Sequence, residues 1–149
     1  MIRIILTEPN KILRTKSTPV DPKAVKTPEF EALIVDMIET MKKADGVGLV
    51  ANQIGVTERI AIISMREPVA LVNPEIISHS LLKTKSEEGC LSVPGRWGAV
   101  KRWRSVKIKA LDKDGKEVKM NLRGLPAIIF QHELDHLNGI LFIDKLIKP

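Results

Sequence analysis

The chain has no tyrosine, one cysteine, three histidines and an aromatic share of only 3% over 149 residues. A single cysteine excludes an internal disulfide and suits a compartment where thiols stay reduced. No stretch approaches the roughly 20 apolar residues needed to span a bilayer, so no membrane role is expected. The opening residues, Met1 to Glu8, meet a carboxylate and then Pro9 before any signal-length apolar segment develops, and they are neither Arg- nor Ser-rich. A cytoplasmic protein is expected. Internal repeats, low-complexity tracts and Pro/Gly/Ser-rich linkers are absent too, and the length suits one well-buried core. Residues 1–149 are therefore read as one domain. With aromatics this scarce, Trp97 and Trp103 are read as packing residues, although Trp97 follows the segment around Cys90 closely enough to wall a groove there, and His79, with no partner nearby in sequence, is read as an exposed bystander.

Two of the three histidines fall in one segment, Gln131-His132-Glu133-Leu134-Asp135-His136-Leu137-Asn138-Gly139. On a helix, positions four apart share a face, so His132 and His136 can close on one metal ion with Glu133 beside it. Such a match arises by chance in on the order of one chain in a few hundred, so the third ligand decides its meaning. Metalloproteases built on this helix take that ligand from downstream. Here the downstream His position holds Phe142, and Asp144 is the only later carboxylate before Pro149. Cys90, in Glu87-Glu88-Gly89-Cys90-Leu91-Ser92, is the best upstream candidate. A thiolate and two imidazoles leave a fourth position for water, the layout of a catalytic site. Asp135 points away from the 132/136 face and is expected to meet solvent or a cation.

Three ordered motifs, Gly46-Val47-Gly48-Leu49-Val50-Ala51-Asn52-Gln53, Glu88-Gly89-Cys90-Leu91-Ser92 and Gln131-His132-Glu133-Leu134-Asp135-His136, give the chain a resemblance to the bacterial-type peptide deformylases. The resemblance runs from Ile5 to about Leu146. It departs at Val50, where the family usually has Ala, and at the short C-terminus. The two extra methyl groups of Val50 are expected to crowd the turn of the first motif and to bear on rate or substrate preference.

The resemblance implies one divalent metal per chain held by Cys90, His132 and His136, with Fe(II) expected in the cell and Zn(II), Ni(II) or Co(II) compatible with the same donors. It implies hydrolysis of the formyl group of N-formylmethionyl nascent peptides by a monomeric enzyme. Glu133 would carry the proton, while Gln53 and the backbone N–H of Leu91 would meet the oxyanion. Gly46 and Gly48 allow close backbone approach, so a peptide could add there as an edge strand. Val47, Leu125, Ile128 and Ile129 are the candidates for an apolar methionine pocket. A pairing of Glu88 with Arg102 is implied as a brace for the ligand loop. Two other readings compete: a peptidase cutting internal amides, and a non-catalytic basic module that binds RNA and uses metal only to hold its fold.

The net charge of +6 is concentrated. Lys101, Arg102, Arg104, Lys107, Lys109, Lys113, Lys116, Lys119 and Arg123 face only Asp112, Asp114 and Glu117, which accounts for the whole excess. The plainer reading is a hairpin with lysines on its solvated face; the sharper one is an electrostatic footprint for ribosomal RNA.

Thr27 and Pro28 cap a helix whose stripe is Phe30, Leu33, Ile34, Met37, Ile38 and Met41, ending near Ala44, where Asp45 and Gly46 open a loop. Both methionines belong to its core face. Strands are expected over Arg59 to Ser64, Pro68 to Val72 and Ile76 to Leu82, with a hairpin of Val106 to Leu111 and Val118 to Leu122 around Asp114-Gly115. Leu125 to Leu137 is the metal helix. The predicted class is α+β, with short antiparallel β-sheets around a central helix carrying His-Glu-x-x-His.

Overall fold

Apolar runs longer than a single sheet face needs distinguish the strand Ile60–Ser64 (β2), and the computed structural model, which describes residues 1–148, explains why. Ile60 and Ile62 pack toward one helix, while Ala61 and Ile63 pack toward the other. A strand covered on both faces loses the alternation of a half-buried one. The helices are α1, Pro28–Lys43, and α2, Leu125–Leu137. Neither is long and apolar enough to cross a membrane.

The helix α1 forms where expected. Thr27 accepts a hydrogen bond from the Phe30 N–H, Pro28 occupies the first turn, and Lys42 and Lys43 complement the dipole at the other end. Met37 and Met41 are fully buried against Leu49, Ile60 and Ile62. Truncating such a side chain to alanine costs about 2–5 kcal/mol.

Five antiparallel strands make the main sheet, in the order β1 (Gly48–Val50), β2, β3 (Pro68–His79), β6 (Ser105–Leu111) and β7 (Glu117–Arg123). β4 (Lys83–Cys90) and β5 (Val93–Trp103) form a separate two-stranded sheet. The antiparallel α+β class is as expected, with α2 packed between the sheets and touching β1, β2, β5 and β7.

Three element readings are corrected. The two strands expected over Pro68 to Val72 and Ile76 to Leu82 are one, β3, ending at His79 and carrying a bulge at Asn73 and Pro74 instead of a break. Asn73 takes a positive φ of 52° and exchanges two hydrogen bonds with the Val20 backbone, at 2.8 and 2.9 Å, which fixes the irregularity. The loop opened by Asp45 and Gly46 closes quickly into β1. The β4–β5 hairpin carried no apolar alternation because its inward positions include Ser86, Glu88 and Arg102, all buried and polar.

Candidate active site

The helix α2 starts after Gly124, has Pro126 in its first turn and ends at Asn138, so the bounds read from Pro126 and Gly139 hold. Its inward face presents His132, Glu133 and His136. Across from it the bulged end of β4 presents Cys90, next to the register shift after Glu88. The ligand atoms of Cys90, His132 and His136 all lie within 4.8 Å of one another, a grouping able to share one ion. Cys90 Sγ is 3.1 Å from His136 Nε2, and the Ser92 N–H points at the sulfur from 3.4 Å.

Behind the histidines the charges are tied in series. His132 Nδ1 lies 2.9 Å from Glu88 Oε1, leaving Nε2 to face the cluster. Arg102, only 3% exposed, donates to both Glu88 oxygens at 2.9 and 2.8 Å and to Asp135 at 2.5 Å, and Asp135 pairs with Lys145 at 3.0 Å. The Glu88–Arg102 pairing and the cation contact of Asp135 match the reading of the sequence. Burial opposes ionisation of Glu88, but hydrogen bonds from Arg102 and His132 outweigh it and bring its carboxyl down to about 2.

Glu133 sits in the opposite electrostatic setting. Burial raises Glu133 to about 7, against the pull of the neighbouring His132 and Arg102 charges. Its Oε1 is 3.9 Å from His132 Nε2, and its Oε2 is buried with no protein partner among the described residues. A carboxylate oxygen of this kind, beside a three-donor cluster, is matched to a hydrated ion. The side chain lies directly over Gly48, whose missing Cβ would come within 2.7 Å of the Glu133 carboxyl carbon.

The first motif meets the cluster through a 3₁₀ turn, Ala51–Ile54, closed by Gly55 at φ 88°. Gln53 Oε1 accepts from the Val50 N–H at 3.0 Å, which turns its Nε2 toward Ser92 Oγ at 3.0 Å and Cys90 Sγ at 3.8 Å. Asn52 donates to the His136 carbonyl at 2.7 Å, locking this turn onto α2.

A cavity of about 470 Å³ opens onto these groups. Gly46, Val47, Gly48, Gln53, Leu91, Leu125, Ile128, Ile129, His132 and Glu133 all line it, as does Cys90; His136 is fully buried behind them. Ile129 is buried, whereas Val47 and Leu125 stand exposed at the rim. Two readings change here. Trp97 is 74% exposed and lies on the cavity wall, its ring flat enough against Gly89 that a Cβ there would come within 2.6 Å. It walls the groove, as its place just after the Cys90 segment allowed, and is not packed in the core. Val50 does not touch the cavity: it is fully buried with Ala61 and Leu137, and the small Ala61 opposite it in β1–β2 receives the extra methyl groups.

Comparison with known proteins agrees with this arrangement. The family model for polypeptide deformylase matches residues 2–149. The chain belongs to this family. A peptide deformylase of Halothermothrix orenii is 49% identical over 140 residues, covering 92% of this chain and 88% of that one. The peptide deformylase of Aquifex aeolicus is 46% identical, covering 98% and 88%. Among solved structures, a peptide deformylase from Legionella pneumophila superposes with TM-score 0.93 at 43% identity, covering 100% of this chain and 88% of that one. An actinonin-bound class I type b deformylase of Acinetobacter baumannii gives 0.95 at 37% identity and 99% coverage of both. The chain is thus a metal-dependent deformylase, and neither the peptidase nor the non-catalytic RNA module finds support.

Proposed function

We propose that Cys90, His132 and His136 hold one divalent ion, and that the residues around it remove the formyl group from N-formylmethionyl peptides. The convergence of the three donors beside the unpartnered oxygen of Glu133 carries this reading. A bound ion supplies an ionised water near neutral pH and a Lewis-acid contact for the formyl oxygen. Glu133 accepts the proton of the attacking water and returns it to the amide nitrogen as the C–N bond breaks. Its pKa near 7 suits both halves of that exchange. Gln53 Nε2 and the Leu91 N–H donate to the oxygen that becomes negative at the tetrahedral carbon. Formate and a free N-terminal amine leave, and one water is consumed.

The methionine side chain enters between Ile128 and Ile129, with Val47 and Leu125 at the mouth. Gly46 and Gly48 let the peptide backbone run along β1. Fe(II) is the proposed ion in the cell, with Zn(II), Ni(II) or Co(II) able to replace it. The thiolate softens the site enough for each of them.

Residues 1–149 act as one catalytic domain of a monomeric, cytoplasmic enzyme that meets nascent chains. In support of a ribosomal RNA contact, Lys107, Lys109, Lys119 and Arg123 fall on one face of β6–β7, while Val106, Ile108 and Leu122 turn inward. Arg102 drops out of that footprint, because it is buried against Glu88 and Asp135.

The deciding test is formate release from an N-formylmethionyl tripeptide by protein purified without oxygen or reconstituted with nickel. Release that tracks metal content on the same sample is the expected outcome. A fully metallated sample that releases no formate would overturn the proposal.

A further inference from the structure

A second, smaller cleft lies behind α2, on the far side of Arg102 from the metal cluster. Its volume is about 80 Å³, too small for a peptide and sufficient for a small oxyanion. Lys83, Lys101, Lys145 and Arg102 line it against a single carboxylate, Asp135, over a floor that includes Trp103 and Leu134. Asp135 is already engaged by Arg102 and Lys145. Lys83 and Lys101 are exposed and have no acidic partner among the described residues.

The hairpin that supplies these lysines works against its own stability. Lys85 and Lys101 stand directly opposite in the β4–β5 register, and Lys83 stands opposite Trp103, with its ammonium 5.5 Å from the ring centroid. Like charges facing each other across an antiparallel pair repel, and an anion seated beside Lys101 offsets that repulsion. The guanidinium of Arg102 closes the back of the cleft with its charge balanced by Glu88 and Asp135, so the unpaired positive charge comes from Lys83 and Lys101.

We infer that this cleft is a binding site for a phosphate group, gripped by Lys83 and Lys101 in front of Arg102. The phosphate can be free or part of an RNA backbone, since the recognising chemistry is the same.

Isothermal titration of the metal-loaded protein with inorganic phosphate at low ionic strength tests it. The expected result is saturable binding that weakens at least tenfold in a Lys83→Gln, Lys101→Gln double variant and is retained in Lys16→Gln, which removes one charge elsewhere. Both substituted lysines are exposed, so folding is not at stake. The same pair of proteins is then titrated with a short single-stranded RNA. If RNA binding weakens with phosphate binding, the occupant is a backbone phosphate; if only phosphate binding weakens, it is the free anion. No saturable phosphate binding would overturn the inference, as would binding that the double variant leaves unchanged, because the anion would then sit at the metal or on the sheet.

Discussion

The carboxylate of Glu133 rests on the α-carbon of Gly48, so closely that a methyl group there would come within 2.7 Å of its carboxyl carbon. Gly48 is in a strand, with no positive φ, and its backbone would accept alanine. The Gly48→Ala variant should therefore fold and bind metal normally yet lose kcat by roughly tenfold to a hundredfold if Glu133 carries the proton as proposed, because its carboxylate is pushed aside. Glu133→Gln should lose on the order of 10²–10⁴-fold with metal retained. Full turnover in either variant, measured as formate release with metal content, would remove Glu133 from the role assigned to it.

Acid should unfold this protein partly through one carboxylate. Folded Glu88 is lowered to about 2 from an ordinary value of 4.5, so its stabilising contribution is complete above pH 4.5 and is lost as pH falls from there toward 2. The loss amounts to about 3 kcal/mol. A Glu88→Gln variant should show a flatter dependence of unfolding free energy on pH across this window. Arg102→Met, which strands the buried carboxylate, should cost about 3–5 kcal/mol at neutral pH. Equal acid limbs in wild type and Glu88→Gln, followed by urea titration at several pH values, would refute the assignment.

Trp97 offers the substrate an exposed ring on the wall of the cavity, across a mouth that also carries the exposed Val47 and Leu125. Trp97→Ala should lower kcat/KM about three- to tenfold for formyl-Met tripeptides with large apolar residues after the methionine, and little for those with acidic ones. The change should fall on KM and leave kcat in place, since uniform binding is what is removed. A uniform loss across both peptide sets would argue for a structural role.

Val50 should matter to stability and not to catalysis. It fills the contact between Ala61 and Leu137, so Val50→Ala leaves a void costing roughly 1–3 kcal/mol. Thermal melting should drop while kcat/KM for a formyl-Met tripeptide stays within twofold. A change in substrate preference would restore the expectation that this side chain crowds the first motif.

The two helices and the β6–β7 hairpin were legible because local chemistry decides them: Thr27 and Pro28 start α1, Pro126 and Gly139 bound α2, and Asp114-Gly115 turns the hairpin. The spacing of His132 and His136 is equally local, and Cys90 joined them only because no other thiol exists. The β4–β5 sheet escaped notice because its inner face is built from Ser86, Glu88 and Arg102, which leave no apolar alternation to read, although the resemblance had already implied the Glu88–Arg102 pair. The place of Trp97 on the groove wall was legible only from its closeness in sequence to Cys90, since the hairpin that carries it was not. The packing of Val50 escaped notice for a related reason, since its partner Ala61 is supplied by strand register and lies outside the motif.

Both histidines ride on one rigid helix, while Cys90 ends a hairpin that belongs to a different sheet, and that hairpin also carries Gly89 and Trp97 on the cavity wall. Glu88, two residues before Cys90, lies 2.9 Å from His132 and is bonded to Arg102, which in turn reaches Asp135 on α2. The hairpin that walls the cleft is thus strapped to the helix that carries both histidines, and whatever enters meets a wall and a donor cluster already fixed relative to each other.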